Sequence, residues 1–132
     1  QGVGGAFDEF VSVVSELLST SQEFVRDHEQ ERSAVSLRDV SRFIKVYAWL
    51  AHHLAKEEGC RAVDILQGSR TARKQVRTAL VMGLCYCYYA RLAHAARERY
   101  VCAIVRAWNQ LQYAPAARRA VQSCAWLELN ER

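Results

Sequence analysis

The sequence predicts an all-α domain, a bundle of about five helices, and three observations carry that prediction. Apolar residues recur at three- and four-residue spacing through most of the 132-residue chain, the period of one helix face. A single proline and six glycines leave few helix breakers, and half of those glycines fall within the first five residues. No segment alternates apolar and polar residues as a half-buried strand does. A hydrophobic content of 51% in a chain of ordinary domain length allows one sizeable core and argues against disorder.

Residues 1–5 read as a flexible lead-in and residues 6–132 as a single helical domain. The first helix runs from Phe7 to about His28, with Phe10, Val13, Val14, Leu17, Leu18, Phe24 and Val25 keeping the 3.6-residue period. Gln30 to Val35 is a polar connection. Ser36 then reads as an N-cap, with Asp39 as the acidic partner of a capping box, opening a second helix to about Glu57. Its core stripe is Leu37, Val40, Ile44, Tyr47, Ala51 and Leu54, widened on one flank by Phe43, Val46 and Leu50. Gly59 marks its C-terminal stop, and a loop from Cys60 to Ser69 follows, with a short helical turn through Val63 to Leu66.

Thr71 to about His94 reads as a third main helix, basic in its first turns and apolar nearly all round in its middle, which predicts a central position. Arg97 to about Gln112 is a fourth, with Tyr100, Val101, Ile104, Val105 and Trp108 inward. Pro115 suits the first turn of a fifth, Ala116 to Leu129. The most apolar run, Ala79 to Ala90, is too short to span a bilayer.

The net charge of +4 is unevenly spread: residues 1–31 carry seven acids and one base (−6), and the remainder 17 bases and seven acids (+10). Such asymmetry attracts nucleic acid or a phosphate-bearing ligand. No recognition motif accompanies it, so the preferred reading pairs the first helix with basic helices of the same bundle, and nucleic acid is not an expected partner. The Arg70–Arg77 cluster reads the same way, as a solvated face. The five cysteines lack metal-ligand spacing and are expected as buried, reduced thiols of an intracellular, cytoplasmic protein. No signal peptide is visible, and a chain opening at Gln1 reads as a cut piece.

Catalytic signatures are absent: there is no phosphate loop and no glycine-rich turn after a strand. His52 and His53 are neighbours and diverge by about 100° on a helix, so they cannot share a metal, and none is expected. The aromatic run CYCYYARL is read as core packing rather than a base-stacking platform. One surface remains with a claim to chemistry. Arg38, Arg42, Lys45, Trp49, His52 and Lys56 share the second helix's outer face. Bases stacked there repel one another by a few tenths of a kcal/mol per pair, and Arg38 also sits at the positive end of the helix dipole. An arginine beside the orphan N–H groups of a helix start suits a phosphate, which its planar fork grips through two bonds. An ordinary surface arginine facing an Asp or Glu of the first helix accounts for Arg38 equally well on physics alone.

The stretch SLRDVSR opening a helix in an all-α domain resembles the sensor-2 motif in the lid of AAA+ ATPases. Four segments in order (SQEFVR at Ser21–Arg26, VSLRDVSRFIKVYAWL, ALVMGLCYCYYARL at Ala79–Leu92 and RERYVCAIVRAW at Arg97–Trp108) resemble the mysterin family, giant RING-type E3 ubiquitin ligases with a dynein-like AAA+ core. The resemblance implies a helical lid subdomain in which Arg38 reaches the phosphate of ATP bound, with Mg, to the preceding large subdomain. Arg42 would be the second arginine of the motif. Ser41 stands where the family commonly has Glu, which withdraws any salt bridge from that position. The implied partners are the large AAA+ subdomain, neighbouring AAA+ units of the same chain and, through the full-length protein, the ubiquitin machinery. On this reading the chain alone neither hydrolyses ATP nor transfers ubiquitin, and by itself needs no cofactor. A second reading is a free-standing helical interaction module whose basic face binds an acidic protein or nucleic acid.

Overall fold

The structure, a computed structural model, describes residues 2–29 and 37–113. The expected connection at residues 30–35, the Ser36 cap, Pro115, the Ala116–Leu129 helix and Cys124 lie outside them. Within them the chain is all helix and turn: α1 (Gly2–Glu29), α2 (Leu37–Glu58), α3 (Ala62–Leu66), α4 (Arg73–Cys87) and α5 (His94–Tyr113), with short 3₁₀ turns at Arg70–Ala72 and Tyr89–Arg91. Residues 2–5, expected as a lead-in, continue α1. Adding a residue to an existing helix gains a hydrogen bond without a new nucleation step, which offsets the poor helix propensity of glycine.

The helices pair off, α1 against α5 and α2 against α4, with α3 packed on the α2–α4 pair. On α1 the buried side is Phe10, Val13, Leu17, Leu18 and Val25, with Val14 and Phe24 partly covered, as its periodicity requires. Ser21 is also fully buried there, and it forms the polar seam of the α1–α5 pair. Its Oγ donates to the Leu17 carbonyl at 2.8 Å. With that proton used, the Tyr100 hydroxyl at 2.6 Å is the donor to Ser21 Oγ. Phe24 meets Tyr100 edge-on at 5.5 Å between ring centroids. The two pairs share one core through Phe10 and Tyr47, 6.1 Å apart, and the Tyr47 hydroxyl donates to the Ile65 carbonyl at 2.7 Å, fixing α3 to α2. On α5, Ala96, Tyr100, Ile104, Ala107 and Trp108 face inward, while Val101 is 46% exposed.

The inner face of α2 and the third main helix also differ from the sequence-based expectation. The buried side of α2 is Asp39, Phe43, Tyr47, Leu50, Ala51 and Ala55, so the stripe is rotated towards the flank that Phe43 and Leu50 define. Leu37 and Ile44, expected inside, are 85% and 59% exposed. The cause is α4: Gly83 has no Cβ, and one built there would stand 2.8 Å from Phe43 Cε1, so Phe43 can lie on the α4 backbone only at a glycine. Gly59 ends α2 as expected, in the left-handed conformation (φ 73°) with its N–H donating to Ala55 O at 2.9 Å.

The expected single helix from Thr71 to His94 is instead broken. α4 stops at Cys87, and Leu92 is extended (φ −83°, ψ 149°) before α5 starts at His94. No glycine or proline marks the break. The break leaves Tyr88 and Leu92 both buried, and carbonyls that it frees are taken by Arg97. Arg97 Nε donates to Leu92 O at 3.1 Å and its Nη2 to Ala90 O at 3.0 Å, while the guanidinium lies 5.0 Å from the centre of the Tyr89 ring. α4 is therefore not buried all round, since Met82, Cys85 and Tyr86 face outward. The thiols also divide: Cys87 is buried and Cys60 half-buried, but Cys85 and Cys102 are exposed, and all four are free.

Candidate functional site

The outer face of α2 is where the periodicity placed it. Arg38, Arg42, Lys45, Trp49, His52 and Lys56 are all exposed. Arg38 stands in the first turn, one residue before Asp39. The Asp39 carboxylate, only 11% exposed, organises this end of the molecule. Arg91, from the turn after α4, places Nη1 3.3 Å from Asp39 Oδ1, and Arg42, one turn along α2, places Nη2 3.9 Å from the same oxygen. The structure thus brings Arg42 to Asp39, with its own side chain still 53% exposed. Arg91 had no role in the sequence reading. Its signal was hidden because it lies beyond the break in α4, which nothing local announces.

Asp39 also acts on its neighbours' ionisation. The Tyr88 hydroxyl is pushed up to about 12, by burial first and by the Asp39 charge second. Burial likewise raises the Cys87 thiol, with Arg42 and Arg91 pulling against it. Neither group ionises near neutral pH, so this corner holds arginines and one carboxylate rather than a nucleophile. Among the described residues no cluster of His, Cys, Asp or Glu is placed to hold a metal ion.

Beside Arg42 the face opens into a groove between α2 and α4 of about 470 Å³, lined by Arg42, Lys45, Val46, Trp49, Leu50, Met82 and Tyr86. Tyr86, expected in the core, is 62% exposed, and Met82, four residues before it on α4, is 48% exposed. Trp49, 64% exposed, stacks on His53 with centroids 5.3 Å apart and planes 5° from parallel. Asp8, Glu9, Glu16, Glu23 and Asp27 of α1 are all exposed.

Comparison with known proteins adds a relationship to this geometry. The chain is 37% identical over 84 residues to the human E3 ubiquitin-protein ligase RNF213, a match covering 61% of this chain and 2% of the relative. Against the mouse E3 ubiquitin-protein ligase RNF213 it is 38% identical over 91 residues, covering 66% of this chain and 2% of the relative. The chain is homologous to a segment of RNF213. It spans about 2% of the length of these curated RNF213 relatives, so the relationship concerns one stretch of a very long protein. No protein-family model matches the chain, and no solved structure does. No helix among the described residues is long and apolar enough to cross a membrane.

Proposed function

We propose that this chain is the helical lid of an AAA+ ATPase module within a larger, cytoplasmic E3 ubiquitin ligase related to RNF213. In that role Arg38 reads the nucleotide's phosphate and couples nucleotide state to the lid's orientation. The observation that carries the reading is the start of α2. Arg38 is exposed in the first turn, Arg42 is exposed one turn later, and the intervening Asp39 is turned inward and occupied by Arg91. A buried, partnered carboxylate repels a phosphate far less than a solvent-facing one, so the donor set suits a phosphate group.

ATP with Mg, held by the large subdomain of the complete module, would supply the phosphate charge. This chain's residues would bind and sense it. Arg38 would approach the phosphate oxygens through its two-pronged donor edge. Arg42 would add charge while tethered to Asp39, and Asp39, through Arg91, would pass any movement of α2's first turn to the α4–α5 connection. The partners would be the large AAA+ subdomain and neighbouring AAA+ units, with the ubiquitin machinery engaged by the larger protein as a whole.

The test is Arg38→Ala in the longer protein that this reading requires. Loss of a charge-assisted, two-bond contact costs about 2–3 kcal/mol, so ATP affinity should fall roughly 30- to 160-fold, or hydrolysis should lose its dependence on binding. Unchanged ATP affinity together with an unchanged ATPase rate, in a parent that is active, would remove Arg38 from the nucleotide site.

A further inference from the structure

We infer that the groove between α2 and α4 is a docking site for an acidic amphipathic helix of another protein domain, independent of any nucleotide contact by Arg38. Three observations lead there. First, the floor is apolar and open: Val46 and Leu50 from α2 meet Met82 from α4, with Trp49 and Tyr86 standing as exposed walls. Exposed aromatic and Met side chains gathered on one surface are the usual composition of a protein-binding patch.

Second, the groove carries charge of one sign. Arg42 and Lys45 are the charged residues that line it. Arg42 is held by Asp39 only at 3.9 Å and remains half exposed, and Lys45 makes no ion pair among the described residues. Among the described residues α1 packs on α5, and its Asp8, Glu9, Glu16, Glu23 and Asp27 stay in solvent. A binding partner that brings carboxylates therefore gains an attraction to this face.

Third, the dimensions fit a helix. From Arg42 to Leu50 the lining follows two turns of α2, about 12 Å at 1.5 Å per residue. A docked helix would place two or three apolar side chains, at three- and four-residue spacing, along that length. A single nucleic-acid strand also uses bases and aromatics, but it needs open ring faces. Here one face of Trp49 is already covered by His53, and the floor between the rings is aliphatic.

Binding is measured by fluorescence anisotropy with two labelled 16-residue synthetic helices. Both carry leucines at three- and four-residue spacing; one is flanked by glutamates and the other by lysines. A single-stranded twelve-nucleotide oligothymidylate is the third probe. The glutamate helix should bind saturably, one per chain. Its affinity should exceed that of the lysine helix at least tenfold and fall several-fold between low and physiological salt. Trp49→Ala should weaken it about tenfold and Lys45→Glu at least fivefold. Both residues are exposed, so far-ultraviolet circular dichroism and the melting temperature should stay at parental values.

Absence of saturable binding by the glutamate helix at low salt would overturn the inference, as would equal binding of the two helices or indifference to both substitutions. Preferred binding of the oligonucleotide would reassign the groove to nucleic acid. Concentration-dependent self-association in sedimentation, abolished by Trp49→Ala, would assign it to a second copy of this chain instead.

Discussion

Ser21 and Tyr100 show how much one buried polar pair constrains. Each hydroxyl is almost wholly withdrawn from solvent, and the two share a chain of bonds that ends on the Leu17 carbonyl. Removing the two partners is not equivalent. Tyr100→Phe deletes a donor but leaves Ser21 its bond to Leu17, at a cost of about 1 kcal/mol. Ser21→Ala strands the Tyr100 hydroxyl among apolar side chains, and the desolvation of that group costs about 2–3 kcal/mol, only partly offset by alanine's better helix propensity. Urea unfolding of the two variants should rank them in that order. The period of α1 places Ser21 on its buried side, but only the structure shows which residue of α5 answers it.

At the scale of elements, what was legible follows from period and what was not follows from packing between helices. The outer face of α2 stands as its spacing requires, because six polar or amphipathic residues on one side admit no other exposure. Its inner stripe is rotated because the neighbour's surface, with Gly83 under Phe43, decides which residues lie deepest. The end of α4 was illegible because no breaker encodes it. The side chain that secures it, Arg97, sits ten residues further along the chain, where it reads as a surface base. Arg97→Met keeps the aliphatic stem and deletes both bonds to the connection. Hydrogen exchange at residues 88–93 should then accelerate at least tenfold while α1 and α2 keep their protection. Arg97→Lys should not restore it, since an ammonium cannot span Leu92 O and Ala90 O as the planar fork does. The candidate site divides along the same line. Arg38 and Arg42 were visible as a misplaced pair of bases. Arg91, Met82 and Tyr86 became part of that surface only when α4 and its connection were placed in space.

The molecule as a whole carries its polar strain in tyrosines. Tyr47, Tyr88 and Tyr100 are buried, and burial raises all three above the ordinary value of 10.0, Tyr88 to about 12. The unfolded chain releases these protons near pH 10, whereas the folded chain holds them. Stability is therefore fully present below pH 10 and is lost as pH rises from there through the folded-state values. Each group contributes about 1.4 kcal/mol per pH unit, about 4 kcal/mol per unit for the three together. Denaturant midpoints should stay level from pH 7 to 9 as far as these groups are concerned and drop steeply between pH 10 and 12; a midpoint that stays level through pH 12 would show that burial does not hold these three hydroxyls protonated.

The division of the thiols gives the fold a built-in clock. Cys85 and Cys102 meet any water-borne electrophile at once, while Cys87, two residues from Cys85, is 3% exposed and held protonated by its surroundings. Two thiols two residues apart on one helix thus differ above all in waiting time. The first reports collision with the reagent, and the second reports how often the α2–α4 pair comes apart.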